Sequence, residues 1–457
     1  MALSRTPILL TLAVLLAGIA AAANGAESPV KKPNILVLLC DDLGYGDLAC
    51  FGHPVIRTPE LDRLAATGIR LTDCYASAPV CSPSRCGMLT GRTPTRYAVD
   101  DWIPLNSSMH LPRREHSFAT ILKAAGYATC HIGKWHCNGK FNSPDQPQPG
   151  DHGFDYWFST QNNAEPSHEN PVNFVRGGNP VGALKGFSNT ILVDEAIGWL
   201  DTRLQEQPFC LAVWFHSPHE PIATPQEYVS PYASRAKPEQ ALYFGNVSHM
   251  DHEVGRLLSK LATERLTENT FVFFTSDNGP ETLNRYQGAA RSYGSAGNLR
   301  GMKLSLYEGG IRVPGIVRWP GHTTPGSTSS EPVINTDLLP TLCELAGVPT
   351  PTDRDLDGVS WLPLLNGKQL NRKEPLYWHY PNALGDFKIA VRQGDWKLLA
   401  TKDRSRYELY NVAADPKESR ELSMEAVAKQ EALRVAMDKY HTRVSSDRER
   451  VLSNSGK

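Results

Sequence analysis

Cys81-Ser82-Pro83-Ser84-Arg85, followed by Leu89-Thr90-Gly91-Arg92, places one cysteine and two arginines in a short segment with a proline inside it. Two further groups of residues could do chemistry. Asp41-Asp42 closes the apolar run at 35–40, and Asp277-Asn278 closes a second apolar run at 270–275. Three carboxylates and an amide oxygen that converge make a site for a hard divalent cation, which takes several oxygen ligands. Calcium tolerates irregular, bidentate ligation and is expected ahead of magnesium, which holds to a stricter octahedron with waters. Any single acidic pair at a strand end can instead cap a helix or a turn. Two pairs behind matching apolar runs favour the metal, with Asp41, Asp42, Asp277 and Asn278 as its ligands.

These groups need elements to position them. Residues 35–40 are continuously apolar, as a strand buried on both faces is, and the runs at 127–132, 209–215, 270–275 and 316–319 predict further strands. Thr58 opens a helix as N-cap with Pro59 in the first position, and Gly68 closes it. Other helices are predicted over 117–125, 192–205, 241–266 and 337–346, the first and last of these stopped by Gly126 and Gly347. Strands alternating with helices predict an α/β sheet covered on both faces. Ligands of such sheets collect past the carboxyl ends of the strands. Both acidic pairs lie there, as do Gly133-Lys134-Trp135-His136 and His216-Ser217-Pro218-His219.

Beyond about residue 366 the texture changes. Short strands at 375–380, 387–392, 395–400 and 407–411, then a helix at 424–444, predict a small antiparallel subdomain, with a frayed tail after Arg448. The expected division is a catalytic region at 33–366 and a C-terminal α+β region at 367–457.

The pattern Cys-x-Pro-x-Arg, continued by Leu-Thr-Gly-Arg, closely resembles the signature of type I sulfatases. Other segments resemble that family in the same order along the chain. Pro33-Asn34-Ile35 to Asp41-Asp42-Leu43-Gly44 is similar to its opening strand and metal loop, and Gly133-Lys134-Trp135-His136 to its Gly-Lys-Trp-His element. Ser217-Pro218-His219 resembles its Pro-His turn, and Phe274-Thr275-Ser276-Asp277-Asn278-Gly279 its second metal loop. Gly301-Met302-Lys303 with the segment from Tyr307 to Pro314 resembles its lysine segment. The resemblance spans roughly residues 33–415 and is closest to the arylsulfatase A and N-acetylgalactosamine-6-sulfatase group.

The resemblance implies an alkaline-phosphatase-like mixed sheet flanked by helices. It also implies that a maturation enzyme oxidises Cys81 to formylglycine, whose hydrate is the nucleophile. Residue 81 would then sit against the metal with Asp41, Asp42, Asp277 and Asn278. Arg85, Lys134 and His136 would hold and activate the hydrate. Lys134, His219 and Lys303 would bind the sulfate, and His219 would protonate the leaving oxygen, because an alkoxide leaves poorly. A cation and basic residues suit a sulfate monoester, whose anionic oxygens repel a nucleophile. One hydroxyl of the hydrate attacks sulfur in line; the second loses its proton, to His136, and expels sulfate. A serine or free thiol has no second hydroxyl and would stall as an ester. Attack by an unmodified Cys81 thiolate is the competing reading.

The substrate is expected to be a sulfated sugar or polysaccharide. Asp100, Asp101 and Trp102, and the segment at 161–176 with Asn162, Asn163, Glu165, His168, Asn170, Asn173 and Arg176, offer the groups a sugar-binding rim uses. A solvated surface loop would have the same composition. Two other functions compete: a phosphate or phosphonate ester hydrolase of the same superfamily, and an unmatured protein that only binds sulfated glycans.

Bulk properties set the remaining bounds. A formal net charge of -1 across 457 residues gives no reason to expect nucleic acid or an anionic membrane as partner, so an anionic substrate needs local basic groups. Residues 1–26 read as a signal peptide, with Arg5 at the start, no charge over 8–23 and small residues over 21–26. The run is shorter than the roughly 20 apolar residues of a membrane anchor, so cleavage and no membrane span are expected. Nine cysteines without a Cys-x-x-Cys pair argue against zinc, and export permits disulfides. The sequons at Asn106 and Asn246 would be used only in a eukaryotic secretory route. The lack of a long C-terminal extension favours a bacterial periplasmic or secreted protein.

Overall fold

The computed structural model describes residues 1–2, 31–283, 285 and 289–454. Nearly all of the expected signal peptide lies outside the described residues. The strands of the larger sheet are β1 (Asn34–Asp41), β2 (Ile69–Tyr75), β3 (Ala128–Lys134), β4 (Tyr156–Thr160), β5 (Val175–Arg176), β6 (Asn179–Pro180), β7 (Phe209–Pro218), β8 (Thr270–Ser276), β9 (Arg312–Arg318), β10 (Ser327–Ser329) and β11 (Val333–Ile334). A smaller sheet follows: β12 (Leu376–His379), β13 (Phe387–Gln393), β14 (Trp396–Thr401) and β15 (Tyr407–Asn411). The helices are α1 (Pro59–Ala66), α2 (Cys81–Thr90), α3 (Phe118–Ala124), α4 (Ser188–Thr202), α5 (Gln226–Val229), α6 (Pro238–Thr263), α7 (Glu308–Ile311), α8 (Leu338–Ala346), α9 (Leu362–Leu365) and α10 (Val427–Asn454).

The larger sheet is ordered β10-β2-β9-β8-β1-β7-β3-β4-β5-β6, with β11 paired to β2. Its centre, β8-β1-β7-β3-β4, is parallel, whereas β9 runs antiparallel to both β8 and β2. Side chains of a strand alternate between faces. Ile35, Val37 and Leu39 accordingly join a core with Phe118 of α3 and Leu338 of α8, and Leu36, Leu38 and Cys40 join another with Leu192 of α4 and Val247 of α6. Each fully buried aliphatic chain contributes about 1.5–3 kcal/mol, which is why the central strands read as unbroken apolar runs.

The small sheet is antiparallel throughout. One face packs Trp378, Ala390 and Leu399 against Tyr75, Val80 and Cys81 of the main body, and Trp378 Nε1 donates to Ala76 O at 2.7 Å. The other face packs Ile389, Val391 and Leu398 against Leu433, Met437 and Val444 of α10. The described residues from Lys32 onward cluster as one unit.

Several local expectations change. Thr58 is at the N-cap of α1, but its hydroxyl makes no cap bond; it accepts from Ala49 N at 3.0 Å and donates to Asp62 Oδ1 at 3.1 Å. Asp251 of α6 caps α1 instead, accepting from Glu60 N at 3.1 Å and Leu61 N at 2.8 Å. The helix expected at 192–205 starts earlier, at Ser188, and the last helix runs through the supposedly frayed tail to Asn454. Arg448 pairs there with Asp100, and Val451 packs into the main core. The cysteine-proline segment is itself a helix, α2. Pro83 is tolerated because it sits in the first turn, where its missing N–H has no intrahelical partner to lose. Of the two sequons, Asn246 is buried within α6 and donates to Ala223 O at 3.3 Å, so its amide is not accessible for glycosylation.

Candidate active site

Register brings the two acidic pairs together. Cys40 of β1 lies opposite Ser276 of β8, so the next residues, Asp41 and Asp277, leave adjacent parallel strands at the same level, and Asp277 N donates to Cys40 O at 3.1 Å. Asp41 also lies opposite Pro218 of β7, the residue before His219. Lys134 ends β3, the next strand over. Asp42 turns the chain with φ 64°, in the left-handed region, and its N–H donates to Asp277 Oδ1 at 3.1 Å.

One ligand atom each from Asp41, Asp42, Cys81 and His219 lies within 4.8 Å of all the others. Around them, Lys134 Nζ is 2.6 Å from Asp41 Oδ2, and Lys303 Nζ is 2.7 Å from Asp42 Oδ2. Arg85 Nε donates to Asp277 Oδ2 at 2.8 Å, its Nη1 to Lys134 O at 2.9 Å, and its Nη2 is 3.6 Å from Asp41 Oδ1. Asn278 Nδ2 donates to Asp42 Oδ1 at 2.7 Å. Asp41 Oδ1 and Asn278 Oδ1 are buried oxygens without a hydrogen-bond partner. Buried oxygen acceptors beside crowded carboxylates fit a hard cation such as calcium or magnesium. Asp277 is not among the four residues of the tight cluster; its Oδ2 pairs with Arg85 and its Oδ1 accepts from Asp42 N.

The electrostatics match this crowding. Burial raises the Asp41 carboxyl, but Lys134, His219, Arg85 and Lys303 outweigh it and hold the group well below the usual carboxylate range. Asp277 goes the other way, up to about 7, through burial and the charges of Asp41 and Asp42 against the opposing Arg85. A cation held there would relieve that repulsion. Burial also pushes the Cys81 thiol up to about 12 despite Lys134 and Lys303, so a plain thiolate is scarce at neutral pH.

Cys81, His136, His219 and Lys303 line a cavity of about 600 Å³, whereas Arg85 and Lys134 are fully buried and do not line it. Cys81 is the first residue of α2, whose N-terminal dipole favours an anion at that point. Asn335 holds this helix, donating to Ser84 Oγ at 2.8 Å and accepting from Ser77 N at 3.0 Å. The second arginine of the segment has no part in the cavity. Arg92 binds Glu115 at 2.7 Å and Asp355 O at 2.9 Å, while Gly91, at φ 67°, ends α2 against Leu339 and Thr336.

The expected rim divides in two. Asp101, Trp102, Asn162 and Asn163 line the cavity. The others do not: Asp100 pairs with Arg448, and Arg176 with Glu195 at 2.6 Å. Asn170 accepts from Gly186 N at 2.9 Å, Asn173 accepts from Glu165 N at 2.9 Å, and His168 is buried beside them. Asn170 and Asn173 brace the loop through these bonds, whereas both ring nitrogens of His168 are without a hydrogen-bond partner. Sequence reading missed Glu220, Glu281, Arg285, Arg291, Tyr380 and Asn382 in the wall. Glu220, next to His219, and Glu281, four residues past Asp277, carried a positional signal; Tyr380 and Asn382 arrive from the small sheet through folding.

Comparison with known proteins gives this site its family. The sulfatase family profile matches residues 33–348, and that of the N-sulphoglucosamine sulphohydrolase C-terminal region matches residues 302–446. The chain is 35% identical over 417 residues to N-acetylgalactosamine-6-sulfatase of Canis lupus familiaris, covering 84% of this chain and 74% of the relative. It is 35% identical over 410 residues to arylsulfatase A of Homo sapiens, covering 84% and 78%. The structure of Ps i-CgsB in complex with k-i-k-neocarrahexaose matches with a TM-score of 0.80 at 26% identity, over 91% of this chain and 93% of that one. Fold and site define a hydrolase of the alkaline-phosphatase-like architecture. The chain belongs to the sulfatase family and is a sulfuric ester hydrolase.

Proposed function

We propose that this protein hydrolyses sulfate monoesters of a sulfated carbohydrate, with formylglycine at position 81 and a divalent cation, calcium ahead of magnesium. The observation that carries this reading is the convergence of Cys81, Asp41, Asp42 and His219 within 4.8 Å at the wall of the cavity that Lys303 also lines. Asp41, Asp42, Asp277 and Asn278, with residue 81, would hold the cation, which supplies Lewis-acid charge to offset that of the sulfate. Oxidised to the aldehyde and hydrated, residue 81 supplies one hydroxyl to attack sulfur and a second whose deprotonation releases sulfate.

The remaining chemistry belongs to the side chains as they stand. Lys303 binds sulfate oxygens from the cavity wall. Arg85 and Lys134 act from behind, orienting Asp277 and Asp41 and adding positive charge around residue 81. His136 Nε2 is 3.1 Å from Ile103 O; a carbonyl only accepts, so Nε2 carries the proton and Nδ1 keeps its lone pair. Burial, with Lys134 and Arg85, pushes His136 well below the usual range, which keeps the ring neutral with the Nδ1 lone pair available but makes it a weak base. His219 Nδ1 likewise donates to Glu220 O at 2.8 Å, so His219 protonates the leaving oxygen as the imidazolium, with its second proton on Nε2, a form that the charges of Asp41 and Asp42 favour against burial.

Carbohydrate is favoured over other esters by the polar rim of Asp101, Trp102, Asn162, Asn163 and Asn382. A relative named N-acetylgalactosamine-6-sulfatase and a neighbour solved with k-i-k-neocarrahexaose point the same way. Export to a bacterial periplasm or medium, contact with a maturation enzyme, and a division into catalytic residues 33–366 and C-terminal residues 367–457 complete the reading.

The test combines peptide mass spectrometry around residue 81 with turnover of aryl sulfate, aryl phosphate and sulfated sugars. Formylglycine in native material, sulfate turnover, and its abolition in a folded Cys81→Ala variant are expected. An intact thiol in all material with no esterase activity would favour a glycan-binding protein. A strong preference for phosphate diesters would favour the phosphate or phosphonate hydrolase.

A further inference from the structure

Glu281 has no part in the chemistry above, yet it lines the same cavity as Cys81, His219 and Lys303. The residue is only 2% exposed. Oε1 accepts from Arg285 Nη1 at 3.0 Å, whereas Oε2 is buried with no hydrogen-bond partner. The segment is tied to the sulfate end of the cavity, since Lys303 N donates to Pro280 O at 2.9 Å. A carboxyl group beside an anion site repels the substrate unless it meets a donor there. Burial and the nearby Asp42 push Glu281 upward, which reflects the same unmet need. The missing partner is a hydrogen-bond donor that is not itself anionic.

We infer that Glu281 Oε2 receives a hydroxyl of the sugar ring that carries the sulfate, making Glu281 a specificity-determining residue. This rests on the carbohydrate reading above. A second sulfate or a carboxylate on the same ring is disfavoured, because Glu281, Glu220 and Asp101 all line the wall. Their basic neighbours are already engaged: Arg285 with Glu281 and Arg291 with Glu220. A hydroxyl also suits Glu281 in either protonation state, since it donates to a carboxylate and accepts from a carboxylic acid. A site built to hydrogen-bond a hydroxyl discriminates strongly against esters that lack one, because its buried acceptor is then left unpaired.

The experiment compares kcat/KM for N-acetylgalactosamine 6-sulfate and galactose 6-sulfate with that for 4-nitrophenyl sulfate, in the wild type, Glu281→Gln and Glu281→Ala. Metal content and the state of residue 81 are measured in each. Glu281→Ala is expected to lower the sugar-to-aryl ratio by about tenfold or more, and Glu281→Gln, which keeps an acceptor oxygen, by less. A ratio that does not move while the wild type cleaves the sugar sulfates overturns the role of Glu281 alone. Wild-type turnover of the aryl ester with none of either sugar sulfate overturns both this inference and the carbohydrate reading.

Discussion

His136 and His219 are the same residue type in complementary states. Each gives one ring proton to a backbone carbonyl, but His136 does so through Nε2 and His219 through Nδ1. The backbone thus fixes both tautomers. Burial lowers the affinity of each for a further proton, and for His219 the charge of Asp41 partly opposes it. A proton delivered from His219 matters most when the leaving oxygen is strongly basic. His219→Ala is expected to slow an alkyl or sugar sulfate by about 10²–10⁴-fold and 4-nitrophenyl sulfate far less, because nitrophenolate leaves without help. Steady-state kinetics on both esters checks this; equal losses would remove the donor assignment.

At the scale of elements, the site depends on β1 and β8 ending in register. The parallel pairing that sets Cys40 opposite Ser276 stacks Asp41 beside Asp277, and Arg85 from α2 bridges them. Asp277→Ala would remove one carboxylate from the proposed cation site and take from the buried Arg85 its bidentate partner. Weaker metal retention and lower activity are therefore expected together. Elemental analysis of the purified variant checks this, and unchanged metal content would contradict the ligand role. The Gly-Gly-containing α7 segment behaves differently from its neighbour Lys303: Glu308 and Arg312 turn away from the cavity into the seam with the small sheet.

Across the whole molecule, that seam is charged and buried. Lys397 of β14 is fully buried between Glu308 Oε1 and Glu418 Oε1, each at 2.9 Å, and Arg392 of β13 meets Asp73 of β2 at 2.6 Å. Beyond the seam, the small sheet delivers Tyr380 and Asn382 to the cavity, where both bind Asp101, at 2.7 and 2.6 Å. Lys397→Met would leave Glu418 buried without its cation and Glu308 with Arg312 alone. Breaking a buried pair in this way costs about 3–5 kcal/mol. A clear fall in melting temperature is expected by calorimetry; an unchanged value would mean the seam does not need the ion pair.

The parallel strands and the acidic pairs at their tips were legible in the sequence, because a strand buried on both faces must be continuously apolar and its first polar residues mark its end. The Cys81 segment stood out in the sequence by its residue types, though not as a helix, since Pro83 reads as a helix breaker unless its place in the first turn is known. Segment composition could not separate Asn162 and Asn163, which line the cavity, from Asn170 and Asn173, which brace the loop. Nor could it show that the second arginine of the segment is structural, or that Tyr380 and Asn382 reach the cavity from more than 200 residues downstream of Asn162. Local patterning specifies what a residue is able to do. Which neighbour it meets depends on contacts between distant segments, and those exist only once both cores and the seam have closed.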